Sequence, residues 1–268
     1  MQKYVLGIDQ STQGTKAILF NEYGDLVARS DKAHKQIIQG DWISHNLNEI
    51  YEAMLEAISN LFKDSGIKPG QVVCAGISNQ RETAGIWDTN GEPLNNAIVW
   101  QCGRAESICQ KIKTEGMENI IYERTGLHLS PYFSAAKLTW LLENTQAAQR
   151  ALKSQDLRMG TVDTYLIYRL SKGKVYVTDY SNASRTQLLN LKKLEWDSEI
   201  CSAFNIPVNV LPTLKDSDSL MCESDFEGIF PQKIPVHSAM GDSHAALYGQ
   251  NCVEPGMCKS TFGTGSSI

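Results

Sequence analysis

The order of hydrophobic periods in the first eighty residues most constrains the fold. Apolar runs at Tyr4 to Ile8, Ala17 to Phe20 and Leu26 to Ser30 are separated by short turns, the second being Glu22-Tyr23-Gly24-Asp25. Runs of that length joined by tight turns predict three consecutive antiparallel strands. Residues 46 to 63 then change to helical spacing, with Leu47, Ile50, Met54, Ile58, Leu61 and Phe62 at steps of mostly three and four. Asn46 followed by Glu49 suits the helix start, and Gly66-Ile67-Lys68-Pro69-Gly70 suits its end. Val72 to Ser78 reads as a buried strand parallel to the first, because a helical crossover permits that connection. Strand, strand, strand, helix, strand is an α/β plan and excludes a helical bundle.

Further along, Asn90-Gly91 marks a hairpin turn before the run Ala97-Ile98-Val99-Trp100-Gln101. Residues 104 to 114 and 134 to 150 read as helices, the second with Leu138, Leu141 and Leu142 on its apolar face. Thr125-Gly126 and Pro131 predict a loop between them. Gly160 to Leu170 reads as an amphipathic helix, Asp179 to Arg185 as a polar turn, and Trp196 to Phe204 as a short helix. Pro235 to Met240 reads as a strand ending at Gly241-Asp242, with a helix from Ala245 to Gly249.

With 268 residues the chain can bury a substantial core. A net charge of −5 provides no basic field for nucleic acid or anionic lipid, which excludes those partners. No apolar run approaches the roughly 18 residues needed to span a bilayer, and the N-terminus does not resemble a secretory signal. The seven cysteines are odd in number and lack a Cys-x-x-C pair. That pattern predicts the reduced thiols of a cytoplasmic protein, with neither a disulfide framework nor a zinc site.

Chemistry-bearing residues gather where strands end. The stretch Leu6 to Lys16 exposes turn N–H groups, the hydroxyls of Ser11, Thr12 and Thr15, and the Lys16 charge, which together could hold phosphate oxygens. Asp9, at the end of the first strand, could hold a hard cation. The same stretch also reads as a plain polar hairpin turn, and spacing alone leaves both readings open. Asp242 stands at the end of the late strand. Moving a phosphoryl group from a nucleotide to an alcohol requires neutralised charge, alignment and a proton acceptor, and two such carboxylates meet two of these needs. Arg81-Glu82 pairs a forked donor with an acceptor, a combination suited to neighbouring hydroxyls or to a solvated ion pair. Trp100 and Tyr132 suit either a carbon skeleton or core packing, and His244 either a base or a structural partner.

Ile8-Asp9-Gln10-Ser11-Thr12, Asn79-Gln80-Arg81-Glu82-Thr83, Ala97-Ile98-Val99-Trp100-Gln101, Gly160-Thr161-Val162-Asp163-Thr164, Thr178 to Thr186, Gly241-Asp242, Ala245 to Gln250 and Phe262-Gly263-Thr264-Gly265 follow one another in a known family order. The chain resembles the FGGY carbohydrate kinases, and within them the glycerol kinases most closely, over essentially its whole length. The resemblance implies an actin-like, ribonuclease-H-like ATPase domain, a mixed sheet flanked by helices. It implies phosphoryl transfer from ATP with Mg2+ to an alcohol group of a small sugar or polyol. Asp242 would be the general base; Asp9, with Asp242, would face the metal. Thr12 and Lys16, with Gly263 and Thr264, would face the nucleotide phosphates. Arg81, Glu82, Trp100, Tyr132 and Ser243 would line the acceptor site.

Glycerol kinases usually carry Arg at the position of Lys16, Gln at Ser243 and Phe at Ser267. The last two exchanges predict a wider, more polar pocket, suited to a longer polyol or a ketose. By the same resemblance, residues 1–262 would form the sugar- or polyol-binding domain and 263–268 the opening of a truncated second, nucleotide-binding domain. Such a fragment alone would not clamp ATP, and apolar patches facing the missing half would favour self-association, a homodimer for instance. Two other classes use the fold: a non-catalytic sugar sensor or actin-like interaction protein, and a chaperone-like ATPase. The latter leaves Asn79 to Thr83 without a role.

Overall fold

The opening meander forms as its spacing predicts. In the computed structural model, which describes residues 2–262, β1 (Tyr4–Gln10), β2 (Gly14–Phe20) and β3 (Leu26–Ala33) pair antiparallel in sequence order. Tyr4, Leu6 and Ile8 face the core, while Val5 and Asp9 lie on the other side of the pleat. A β-carbon on Gly14 would lie 2.6 Å from the Lys32 carbonyl oxygen, so the close approach of β2 to β3 needs glycine there. After β4 (Ile37–Gln39) and β5 (Trp42–His45), the Asn46 side-chain oxygen accepts from the backbone N–H groups of Asn48 and Glu49. This caps α1 (Leu47–Ser65), and Gly66, at φ 70°, terminates it in the left-handed conformation. The helix carries the chain back so that β6 (Val72–Asn79) pairs with β1 in parallel.

A second hairpin, β7 (Ala84–Asp88) and β8 (Ala97–Ile98), leads to α2 (Glu106–Thr114), α3 (Glu118–Thr125), α4 (Ser134–Asn144) and α5 (Gln146–Lys153). Two expectations are corrected here. The loop expected after residue 114 contains α3, which buries only Ile121 and Thr125 and so lacks an apolar stripe. The single helix expected over 134–150 is two, because Thr145 adopts an extended backbone and its hydroxyl accepts from Asn95 Nδ2 at 2.8 Å. A third correction follows: β9 (Leu157–Thr161) precedes α6 (Val162–Leu170), which is buried at every position except Arg169 and is not amphipathic. Then come β10 (Val177–Asp179), α7 (Tyr180–Ala183), β11 (Leu189–Asn190), β12 (Glu195–Trp196) and α8 (Ser198–Ala203). The remaining elements are β13 (Thr213–Lys215), β14 (Cys222–Ser224), β15 (Ile234–Gly241) and α9 (Asp242–Gly249).

The main sheet is mixed, in the order β14-β15-β6-β1-β2-β3, with β15, β6 and β1 mutually parallel. A five-stranded antiparallel sheet runs β4-β5-β8-β7-β9. One core packs α1 and α6 with the main sheet around Leu6, Ile8, Met54, Ile58 and Leu166. Another packs α2, α4 and α5 with the second sheet around Ile86, Ile108, Leu138 and Met159. Each such side chain contributes about 1.5–3 kcal/mol on full burial. The parallel trio sets up the site, because Gln10, Asn79 and Gly241 stand opposite one another in register. Three loops far apart in sequence therefore leave from one sheet edge, where ligands of α/β sheets bind.

Candidate functional site

At that edge, β1 delivers Asp9. Its carboxylate accepts from Lys16 Nζ at 2.7 Å and from Ser78 Oγ at 3.2 Å. Lys16 and Ser78 are the register partners of Asp9 on the neighbouring strands, so the sheet itself assembles this trio. Thr12, in the following loop, accepts through Oγ1 from Trp100 Nε1 at 2.9 Å. The loop is therefore fastened to the segment after β8 and is more than a free polar turn. Two strand spacings of about 4.8 Å separate the backbones of β1 and β15, so Asp9 and Asp242 sit at one edge with β6 between them.

Beyond β6 the chain turns at Arg81 and Glu82, and Glu82 holds φ at 62°, a conformation uncommon for a residue with a side chain. Arg81 reaches across the end of β15, where Nε donates to Asp242 Oδ1 at 2.8 Å and a terminal nitrogen donates to Ser243 Oγ at 2.8 Å. Gly241 makes room for it: a β-carbon there would lie 2.6 Å from Arg81 Cδ. The Glu82 carboxylate is almost fully buried and accepts from Arg185 Nε at 2.7 Å, with an Arg81 nitrogen 3.9 Å away. Burial pushes the Glu82 carboxyl above its ordinary range, while Arg81 and Arg185 pull it down. Burial also works against the Arg81 charge, but Glu82 and then Asp242 outweigh it and hold the guanidinium protonated.

Trp100 and Tyr132 meet edge to face, with ring centroids 5.7 Å apart. Tyr132, Arg81, Arg185, Ser243, His244 and Lys259 line an open pocket of about 410 Å³. His244 Nδ1 is buried without a hydrogen-bond partner, and burial together with the Arg81 charge keeps this ring below the usual histidine range. The pocket thus offers an aromatic wall, forked donors, and a carboxylate tethered at its rim. Such a set can grip adjacent hydroxyls of a small carbon skeleton while leaving a carboxylate able to accept a proton.

The structure brings Arg81, Glu82, Tyr132, Asp242 and Ser243 together, and joins Trp100 to Tyr132 on one side and to Thr12 on the other. Gly263 and Thr264 lie outside the described residues. Sequence reasoning gave no role to Arg185, which stands in a stretch read as a polar turn and as one of the family-order motifs. That stretch is a junction. Asp179 caps α7 through the Ser181 and Asn182 N–H groups, the Asn182 and Asn79 amides bond reciprocally at 2.9 and 3.0 Å, and Ser181 Oγ accepts from Gly241 N. One turn of helix thereby locks the ends of β6 and β15 and aims Arg185 at Glu82. Among the described residues no group of three or more His, Cys, Asp or Glu side chains could hold a metal ion. Magnesium that arrives on a nucleotide needs only one or two carboxylates besides phosphate and water, and Asp9 and Asp242 have the oxygen chemistry for it.

Residues 4–249 match the model of the FGGY family of carbohydrate kinases, N-terminal domain. Glycerol kinase 1 of Thermotoga maritima is 48% identical over 98% of this chain and 54% of its own length. Glycerol kinase of Bacillus licheniformis is 43% identical over 99% of this chain and 54% of its own. The crystal structure of Plasmodium falciparum glycerol kinase with ADP superposes with a TM-score of 0.91 at 33% identity, covering 99% of this chain and 53% of that one. Gluconate kinase from Lactobacillus acidophilus gives 0.83 at 25% identity, over 94% and 50%. The chain spans about half the length of the curated relatives it matches. Its mixed sheet and flanking helices are the actin-like ATPase fold of these kinases. Sequence, register and superposition agree on descent: the chain belongs to the FGGY family of carbohydrate kinases.

Proposed function

We propose that this chain is the acceptor-binding part of an ATP-dependent kinase that transfers the γ-phosphoryl group to an alcohol of a glycerol-like polyol or a sugar. The observation that carries the reading is the contact of Arg81 with Asp242 at 2.8 Å, beside Glu82 and the Trp100–Tyr132 wall. Arg81 and Glu82 bind and orient neighbouring hydroxyls. Asp242 takes the proton of the hydroxyl being phosphorylated. Asp9, with Lys16 and Thr12 beside it, faces the phosphates, and magnesium carried by the nucleotide would neutralise their charge. Residues 1–262 serve as the polyol- or sugar-binding domain, with 263–268 opening a second, nucleotide-binding one. The matched relatives being about twice as long supports that division. Relatives named glycerol kinase favour glycerol as acceptor, whereas the short Ser243 side chain, engaged by Arg81, favours a longer polyol.

A sensor or filament protein on this fold has no use for a carboxylate aligned with a hydroxyl clamp, so the arrangement favours the kinase. The test is a panel of polyols and sugars offered with MgATP to the full-length protein, followed by ADP release. We expect one acceptor to dominate, and Asp242→Asn to lower kcat by about 10²–10⁴-fold with acceptor binding retained. A dominant preference for glycerol refutes the wider pocket. Acceptor binding without turnover in the unmutated protein refutes the kinase.

A further inference from the structure

Lys137 is the one fully buried lysine side chain among the described residues with no place in the chemistry above. It stands in the first turn of α4, on the same helical face as Leu138 and Leu141, where an apolar residue is the rule. Its ammonium donates to three successive backbone carbonyls: Pro131 at 2.5 Å, Tyr132, and Phe133 at 3.2 Å. Three N–H donors meet three acceptors, which uses the full capacity of the group. The Pro131 and Tyr132 carbonyls precede the helix, so no helical N–H reaches them, and buried carbonyls without partners are costly. The segment they belong to carries Tyr132, whose ring stands edge-on to Trp100 and lines the pocket.

We infer that Lys137 is a positioning residue: by drawing three consecutive carbonyls onto one ammonium, it sets where Tyr132 stands against the acceptor. This rests on the reading of the pocket as a polyol or sugar site. The titratable groups facing Lys137 come from three elements. Glu82, after β6, stabilises its charge, as do Cys102, beyond β8, and Cys109, on α2, when ionised. Burial opposes that charge and draws the lysine down to about 7, with the Glu82 carboxylate acting to keep the proton on. A hydrophobic replacement removes all three donors at once and strands the carbonyls, while leaving Arg81, Asp242 and Asp9 untouched.

The experiment compares the full-length protein with Lys137→Met, Tyr132→Ala and the double variant. Steady-state kinetics are measured with the best polyol, and amide hydrogen exchange is measured without any ligand. We expect Lys137→Met to raise the acceptor KM at least tenfold with the ATP KM within twofold. Acting through Tyr132, it should add nothing to Tyr132→Ala in the double variant. Amides of residues 130–134 should exchange at least tenfold faster, with those of β1 and β6 unchanged. Unchanged exchange at 130–134, additive KM effects, or an equal rise in both KM values would overturn the assignment. Should Lys137→Met fail to fold, Lys137→Gln, which keeps two N–H donors at a shorter reach, carries the same expectations. If the unmutated protein phosphorylates no polyol or sugar, the kinase reading falls, while the exchange result still decides whether Lys137 orders this segment.

Discussion

At the scale of single residues, the site is held by contacts that leave no slack. Gly241 is the clearest case. Its backbone, at φ −59°, is one that any residue adopts, so alanine there causes no backbone strain. The added carbon would nevertheless sit 2.6–2.7 Å from the Arg81 stem and 3.3 Å from His244 Nδ1. We expect Gly241→Ala to shift Arg81 off Asp242 and raise the acceptor KM about tenfold, about 1.4 kcal/mol, with little change in melting temperature. Kinetics and thermal melts on the same preparation check this. Asp9, Arg81, Glu82 and Asp242 were picked out in the sequence as charged residues at or just after apolar strand runs, and the family resemblance supplied the roles proposed for them. Arg185 was not, since its partner Glu82 is a carboxylate that only tertiary packing brings near. Nor was Lys137, whose partners are backbone carbonyls of the preceding turn that no residue type marks. A lysine on the apolar face of the 134–150 helical pattern was the available signal.

At the scale of elements, the long strands and most helices were read, and the short strands were not. The meander and β6 announce themselves by apolar runs between turns and α1 by its period, whereas β4, β5 and β9 were not anticipated. Helix α3 has no stripe, and α6 was found but is buried nearly all round instead of on one face. The entry to α6 carries its own cost. Asp163 lies fully buried in its first turn and accepts from Thr161 Oγ1 and Thr178 Oγ1, each at 2.6 Å, tying the helix to β9 and β10. Burial, and then the charge of Asp179, push this carboxyl up to about 6. The folded state therefore holds the Asp163 proton more tightly than the unfolded chain, whose value is near 3.8. Its contribution to stability is fully present below the unfolded value and is lost as pH rises through about 6. We expect urea midpoints of Asp163→Asn to lack that acid-side component between pH 7 and 5, seen as a difference between the two pH series.

At the scale of the molecule, the architecture was readable from the order of periods, and its two cores were not, because nothing local says which sheet a helix will cover. The chain is about half as long as its curated relatives, and Thr12 and Lys16, read as phosphate-facing, are half-exposed near the end of β1. We expect the 268-residue chain alone to give no measurable ATP-dependent phosphorylation of a polyol that the full-length protein accepts, as checked by a coupled ADP assay. The seating of β15 beside β6 has a consequence for biosynthesis. The strand that completes the parallel trio leaves the ribosome roughly 160 positions behind its neighbour. Until it arrives, one side of β6 presents unpaired backbone donors and acceptors. Nascent chains stalled short of β15 therefore carry an open strand edge and are prone to stick to one another.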